Sequence, residues 1–201
     1  MTKKSRKPIS AHFKPLRDVA SVRMGYPFRS RLEHDPTGPI AVVQMKDLDD
    51  ASALRLEGAV RVQLEDIKDR HLIKRGDLLF RSRGQTNSAV LVSADIGPAV
   101  LAAPLLLIRP LKVSSDYLYW YINLPSVQAD LAANAEGTSV RMISKMALEA
   151  LEVPIPSARE QQFIGEMAAL VAAEQGLMER ITQERKRFAD GVLMRYARNS
   201  R

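Results

Sequence analysis

An α+β fold is what this chain of 201 residues predicts. Three observations carry that reading. Strand-like segments are short and numerous, helical segments gather in the second half, and no regular alternation of the two marks a doubly wound sheet. An extended segment punctuated by prolines then leads into one very long helix.

The elements follow in order. Met1 to Ala11 reads as a mobile basic arm. Pro15 to Ala20 suits a single helical turn and Ser21 to Met24 a short strand. Gly25-Tyr26-Pro27-Phe28 is a turn ahead of a basic loop, and Asp35-Pro36-Thr37-Gly38-Pro39 is a second turn. Ile40 to Met45 is a strand, followed by an acidic loop at Asp47, Asp49 and Asp50. Val60, Val62 and Leu64 alternate within Ala59 to Leu64, which is strand periodicity. Gly76-Asp77 turns the chain into the buried strand Leu78-Leu79-Phe80. Val90 to Val92 and Leu105 to Ile108 are further strands. The longest apolar run, Ala99 to Ile108, is too short to span a bilayer and reads as buried strand. Pro125 divides two helices, Asp116 to Leu124 and Ser126 to Ala133. Ser144 to Ala150 is a short helix and Leu151 to Ile155 an extended segment.

The ending is the most regular part. Pro154 and Pro156 keep the residues before them extended. Ser157 and Glu160 have the spacing of a capping box, which opens a helix running to Tyr196. Apolar residues recur at 4,3 spacing through Phe163, Met167, Leu170, Leu177, Ile181 and Phe188. Glu174 and Glu184 fill the two missing places. Ile164, Val171 and Met178 widen the stripe over the first half only. A wide stripe suits packing on a globular body and a narrow one a coiled-coil seam. The first turns are therefore expected on their own domain and the later turns against another helix. About 40 residues of helix span roughly 60 Å. Gly165, Gly176 and Gly191 each weaken it by about 1 kcal/mol and permit close helix approach or a kink.

Net charge is +7, and its distribution says more than its sum. From Met1 to Arg31 nine Lys or Arg face the single acid Asp18, and from Glu179 to Arg201 seven face three acids. A basic arm and a basic tail suit phosphate contact. There is no cysteine, so neither a disulfide framework nor a thiolate metal site is expected. The basic start has no apolar stretch behind it and does not read as a secretory signal, so a soluble, cytoplasmic protein is expected.

Catalytic signatures are weak. His12, His34 and His71 stand in different segments without metal-ligand spacing. Asn123-Leu124-Pro125-Ser126 lacks the second proline and the aromatic of an amino-methyltransferase motif and reads as a helix break. Asp66-Ile67-Lys68, with Asp35 upstream, has the Asp-x-Lys of many nucleases, a tripeptide common by chance. Binding is favoured over catalysis, and the protein is expected not to be an enzyme.

Base edges in the major groove are read by Arg, Lys, Asn, Gln, Ser and Thr. The segment from Arg81 to Ser88 is built almost wholly of them, with Arg81, Arg83, Gln85 and Asn87 as candidate readers. A polar hairpin loop is the plain alternative. Thr138, Ser139 and Arg141 form a second cluster, where Gly137 and the hydroxyls also suit a turn. Lys145, Arg29 and Arg31 suit phosphate contact, which positions without specifying. Most of Tyr117, Tyr119, Trp120 and Tyr121 read as core.

Taken together, these pieces resemble the specificity subunit of type I restriction-modification systems. The matching motifs are Leu16-Arg17-Asp18-Val19-Ala20, Gly25-Tyr26-Pro27-Phe28, Gly76-Asp77-Leu78-Leu79-Phe80 and Asn123-Leu124-Pro125-Ser126-Val127-Gln128. Gly137-Thr138-Ser139-Val140 to Ile143-Ser144, Val153-Pro154-Ile155-Pro156 and Glu160-Gln161-Gln162-Phe163-Ile164 complete the set, which covers nearly the whole chain in order. The resemblance implies a DNA target recognition domain with a small mixed sheet, residues 1–156, and a coiled-coil-forming spacer helix, residues 157–201. It also implies a non-catalytic, sequence-specific reader of double-stranded DNA. Methyltransferase subunits carrying S-adenosylmethionine, and restriction (motor-nuclease) subunits, would be its partners. Family members usually carry two recognition domains and two spacer helices, and this chain resembles a half-size subunit. Two copies paired antiparallel through Leu170, Leu177, Ile181 and Phe188 would read a split palindrome. Half-site centres would then lie about one DNA turn, roughly 34 Å, or more apart. A truncated remnant, or a half that pairs with a different half, is the alternative within the family. A non-sequence-specific DNA-binding or coiled-coil adaptor is the alternative outside it.

Overall fold

Prolines and turn residues cut this chain into short strands, and a computed structural model shows how they pair. The structure describes residues 12–28, 32–48, 54–64, 67–84, 87–135 and 141–199. The chain divides into two compact units, Met1–Gln162 and Phe163–Arg201.

In the first unit the order is β1 (Phe13–Pro15), α1 (Leu16–Val19), β2 (Ala20–Met24), β3 (Ile40–Val43), β4 (Val60–Val62), β5 (Leu78–Phe80), β6 (Ala89–Leu91), β7 (Ala99–Leu101) and β8 (Leu106–Pro110). Then come α2 (Ser115–Ile122), α3 (Pro125–Ala133), α4 (Lys145–Glu149) and β9 (Glu152–Pro154). The helix α5 (Ala158–Asn199) begins here and continues as the second unit. Among the described residues, β2-β8-β5-β6 form an antiparallel sheet, β4-β3-β7 a mixed one and β1-β9 an antiparallel pair. The fold is α+β. No described helix is long and apolar enough to cross a membrane.

Alternation along β3 separates two cores. Ala41 and Val43 join Leu79, Val90, Leu101 and Leu107 in one cluster. Ile40 and Val42 join Val62, Val100 and Ala102 in the other. The run Ala99 to Ile108 is not one strand but two, in different sheets. β7 pairs parallel with β3, whereas β8 pairs antiparallel with β2 and β5. Pro104 lies between them and has no N–H for a ladder. The Leu105 N–H instead closes a turn onto the Ala102 carbonyl at 3.1 Å. The strand from Ile40 also stops early, at Val43. Met45–Asp47 is a 3₁₀ turn, closed where the buried Asp47 accepts the Gln44 N–H at 2.8 Å. Phe13–Pro15, not anticipated as a strand, pairs with the segment of Pro154.

One ion pair ties the large sheet together. Arg109 on β8 donates to both oxygens of Asp77, from Nε at 2.7 Å and from Nη2 at 2.6 Å. The Asp77 side chain is 2% exposed and that of Arg109 19%. Asp77 also accepts the Lys74 N–H at 2.7 Å, and Arg109 donates to the Leu72 carbonyl at 2.9 Å. The Asp77 bonds hold the Arg109 guanidinium above its ordinary pKa. The edge strand β6 is closed differently. Asn123, at the end of α2, accepts the Ala89 N–H at 2.9 Å and donates to the Ala89 carbonyl at 3.0 Å. The helix break at Asn123 thus also covers a sheet edge.

Of the four aromatics expected to be mostly core, Tyr117 is buried and Tyr119, Trp120 and Tyr121 are half-buried. Tyr117 is buried and donates to the Pro154 carbonyl at 2.6 Å, and Tyr121 donates to Glu152 at 2.7 Å. Burial first, and Tyr121 second, push the Tyr117 hydroxyl up to about 12. Gln161, buried in the first turn of α5, accepts the Ser114 N–H at 2.8 Å and donates to the Pro156 carbonyl at 2.9 Å. The capping box is present. Glu160 accepts the Ser157 N–H at 2.9 Å, and the Ser157 oxygen accepts the Glu160 N–H at 3.4 Å.

Asp77→Ala should destabilise the protein by about 3–5 kcal/mol, because it strands a buried guanidinium. Adding Arg109→Met should recover part of that loss in urea denaturation. A second test concerns pH. Bonds from Ser157 hold the Glu160 carboxyl below its ordinary value of 4.5. Its contribution to the helix start is therefore full above that value and fades as pH falls through the lower folded one. Ser157→Ala should remove this acid-side fading of helicity in circular dichroism.

Candidate nucleic-acid interface

Arg83 of the first polar cluster pairs in the fold with Met142, next to Arg141 of the second. The chain leaves β5 through Arg81, Ser82 and Arg83. An antiparallel bridge then pairs Arg83 with Met142. The Ile143 N–H donates to the Ser82 carbonyl at 2.9 Å, and Arg83 Nε donates to Met142 Sδ at 3.3 Å, across 59 positions of sequence. Ser82 is buried, and its hydroxyl donates to the Pro104 carbonyl at 2.6 Å. Ser144 follows as the cap of α4 and accepts the Ala147 N–H at 3.2 Å. Lys145 opens that helix and pairs with Glu149 at 3.4 Å. Arg83, Arg141 and Lys145 are exposed.

Arg81 and Asn87 are placed differently, at 9% and 8% exposure. The Arg81 guanidinium donates to the Leu48 carbonyl, and its backbone N–H to Ser88 at 3.0 Å. A side chain turned to a buried carbonyl is not displayed to a groove. Of the four candidate readers in this loop, Arg83 is the exposed one among the described residues. Gln85, Thr138, Ser139, Arg29 and Arg31 lie outside the described residues.

Much of the basic charge serves the fold. Arg61 donates to the Gly38 and Pro39 carbonyls at 2.7 and 2.9 Å, beside the Arg109–Asp77 pair already described. Asp35 accepts the Thr37 hydroxyl at 2.7 Å and its N–H at 2.9 Å, bonds that hold its carboxyl below the usual range. That carboxylate closes a turn. Asp66 lies outside the described residues. Sequence reading missed a further gathering of cations. Arg23, Lys68 and Arg70 surround His71, whose pKa is lowered first by burial and then by those three charges. Lys68 and Arg70 adjoin His71 in the sequence, and only the approach of Arg23, 47 positions away, depends on the fold.

On α5, Phe163, Leu170, Leu177, Ile181 and Phe188 are each more than half exposed. In the first half of the stripe Met167 and Val171 are also exposed, whereas Ile164 is half-buried. The helix runs unbroken through Gly165, Gly176 and Gly191.

The family described as the type I restriction modification DNA specificity domain matches residues 8–184. The chain belongs to this family. The specificity subunit of the type I restriction enzyme EcoBI of Escherichia coli is 23% identical over 180 residues, which are 87% of this chain and 36% of that protein. The HsdS subunit from Thermoanaerobacter tengcongensis matches with a TM-score of 0.64 at 18% identity, over 100% of this chain and 48% of that one. The S subunit of a type I system from M. genitalium gives 0.57 at 16%, over 92% and 46%. A chain from a structure describing complex assembly and conformational transition of a type I R-M system gives 0.68 at 16%, over 94% and 45%. At these identities the solved structures show a shared fold. The chain spans about a third of the EcoBI subunit's length and under half of each solved chain.

The Ser82–Ile143 bond predicts that the Ile143 amide, outside any named strand, exchanges slowly with deuterium. Exchange as fast as in an open loop would count against the bridge.

Proposed function

We propose that this chain is the sequence-reading part of a type I restriction-modification complex. The observation that supports it best is the bridge between Arg83 and Met142. It sets an exposed arginine beside Met142, the chain neighbour of Arg141. Arginine bidentate to guanine is the commonest specific contact in the major groove. In this reading Arg83 and Arg141 reach base edges, together with Gln85, Thr138 and Ser139. Lys145, Arg29 and Arg31 hold phosphates. The buried Arg81 and Asn87 shape the loop.

The chain itself performs no chemistry. A methyltransferase subunit supplies it with bound S-adenosylmethionine, and a restriction subunit cleaves where the complex includes one. Two copies pair antiparallel through the α5 stripe at Leu170, Leu177, Ile181 and Phe188, so the target is a split palindrome. The exposure of those four side chains supports the pairing.

The decisive experiment maps adenine methylation in the source organism with and without the gene. One split, palindromic motif should lose methylation on deletion. A split but asymmetric motif would keep the reading role and replace the homodimer with two unlike halves. No change in any motif would favour a non-specific adaptor. In binding assays, Arg83→Ala should cost about 1–3 kcal/mol on the cognate duplex and relax discrimination at one position. Lys145→Ala should weaken all duplexes alike and reduce the salt slope by about 1.

A further inference from the structure

A second site lies on the first unit, built on Gly25-Tyr26-Pro27-Phe28. A cavity of 480 Å³ is lined by Met24, Gly25, Tyr26, Pro27, Phe28 and His71. The Tyr26 ring lies 4.9 Å from that of Phe28 and 5.7 Å from that of His71, centroid to centroid. Tyr26 and Phe28 are half-buried, and Met24 is exposed.

The backbone under these rings is pinned. The Gly25 N–H donates to Leu105 at 2.9 Å, the Tyr26 N–H to Leu101 at 2.5 Å, and the Ala103 N–H to the Tyr26 carbonyl at 3.1 Å. A Cβ on Gly25 would meet the Ala102 carbonyl carbon at 2.5 Å, so only glycine lets the loop close this tightly. Such a loop offers a preformed surface with little ordering left to do on binding.

Cations stand beside His71, one wall of the pocket. Arg23 donates to the Arg70 carbonyl at 2.8 Å, and Arg70 donates to His71 Nε2 at 3.3 Å. Lys68 and Arg70 are exposed. Burial and these charges hold His71 below its ordinary value, so it stands neutral at pH 7 and acts as a third ring. Asp69, between the two cations, is paired with Lys74 at 2.7 Å, and Glu65 and Asp66 lie outside the described residues. Cations hold a duplex by its phosphates, and an aromatic wall beside them can pack on the adjoining sugar.

We propose that this pocket is a second DNA contact, holding one phosphodiester at Lys68 and Arg70 with the adjoining sugar against Tyr26 and Phe28. It rests on the DNA-reading role above and adds a contact independent of sequence. A polyanionic strand is the occupant favoured by two exposed cations, Lys68 and Arg70, beside the pocket on a chain of net charge +7.

The test uses the full chain and a duplex carrying 5-iodouracil. Lys68→Glu with Arg70→Glu should lower affinity for cognate and unrelated duplexes alike, by tenfold or more at about 0.1 M salt. It should also flatten the salt slope by about 2. Photocrosslinks should reach the peptide holding Tyr26 and Phe28 in the wild type and vanish in the variant. If the double variant unfolds, Lys68→Gln with Arg70→Gln should show the same loss at smaller size. Unchanged affinity and slope, with binding still sensitive to Arg83→Ala, would overturn this contact alone. A wild-type chain that binds no duplex would overturn the DNA-reading role, and this contact with it.

Discussion

The fork between Asp77 and Arg109 is the constraint on which the rest of the first unit depends. Strand β8 lies between β2 and β5, so whatever fixes its register fixes the sheet. Arg109 sits opposite Ser21 on β2, and its guanidinium reaches Asp77 just before β5. Two parallel N–H···O bonds hold position and orientation together, which a single bond or a lysine would not do. The pair sets where β5 begins, and β5 delivers Ser82 and Arg83 to the candidate interface. Pro104, which receives the Ser82 hydroxyl, lies just before β8. The fork and the interface therefore sit at opposite ends of the same two strands.

Local chemistry was legible in the sequence and long-range partnership was not. The Ser157–Glu160 box and the turn at Gly76-Asp77 are short-range devices whose spacing states their geometry. Strand pairing is set by contacts far apart in sequence. Every residue of β3 is buried, so the alternation that would expose its two faces is absent from the sequence Ile40-Ala41-Val42-Val43. Two abutting strands, β7 and β8, read as one run for the same reason. Both are apolar throughout their shared stretch, and only Pro104 marks the passage between sheets.

The candidate interface was half legible. Residue type alone picked out the segments from Arg81 and from Gly137, and their meeting at Arg83 and Met142 depends on the fold. The error lay in treating all basic residues alike. Arginine has five donors in a fixed fork, so it is also a side chain that can satisfy buried carbonyls. Arg81 does so at Leu48, while Arg61 is spent on the Gly38 and Pro39 carbonyls and Arg23 on the Arg70 carbonyl nearer the surface. Sequence charge therefore overstates what a phosphate can meet. Lys68, Arg70, Arg83 and Arg141 are exposed and carry no such duty to a buried carbonyl in the bonds described.

The α5 stripe raises a question of energetics that its own unit does not answer. A helix of this length with three glycines is weakened at each of them, and most helical stability in proteins comes from packing an apolar face. Leu177, Ile181 and Phe188 form such a face and stand open. A second helix would bury them, at about 25 cal/mol for each Å² removed from water. Glu174 and Glu184 lie in the same stripe and would limit the choice of register. In an antiparallel pair that set position 174 against 184, two like charges would meet in a drying seam, an arrangement costly for both. Registers that place each glutamate beside Arg180, Arg185 or Arg187 of the other helix avoid that cost. The two acids thus weaken the seam while narrowing its alternatives, as polar residues in coiled-coil cores do.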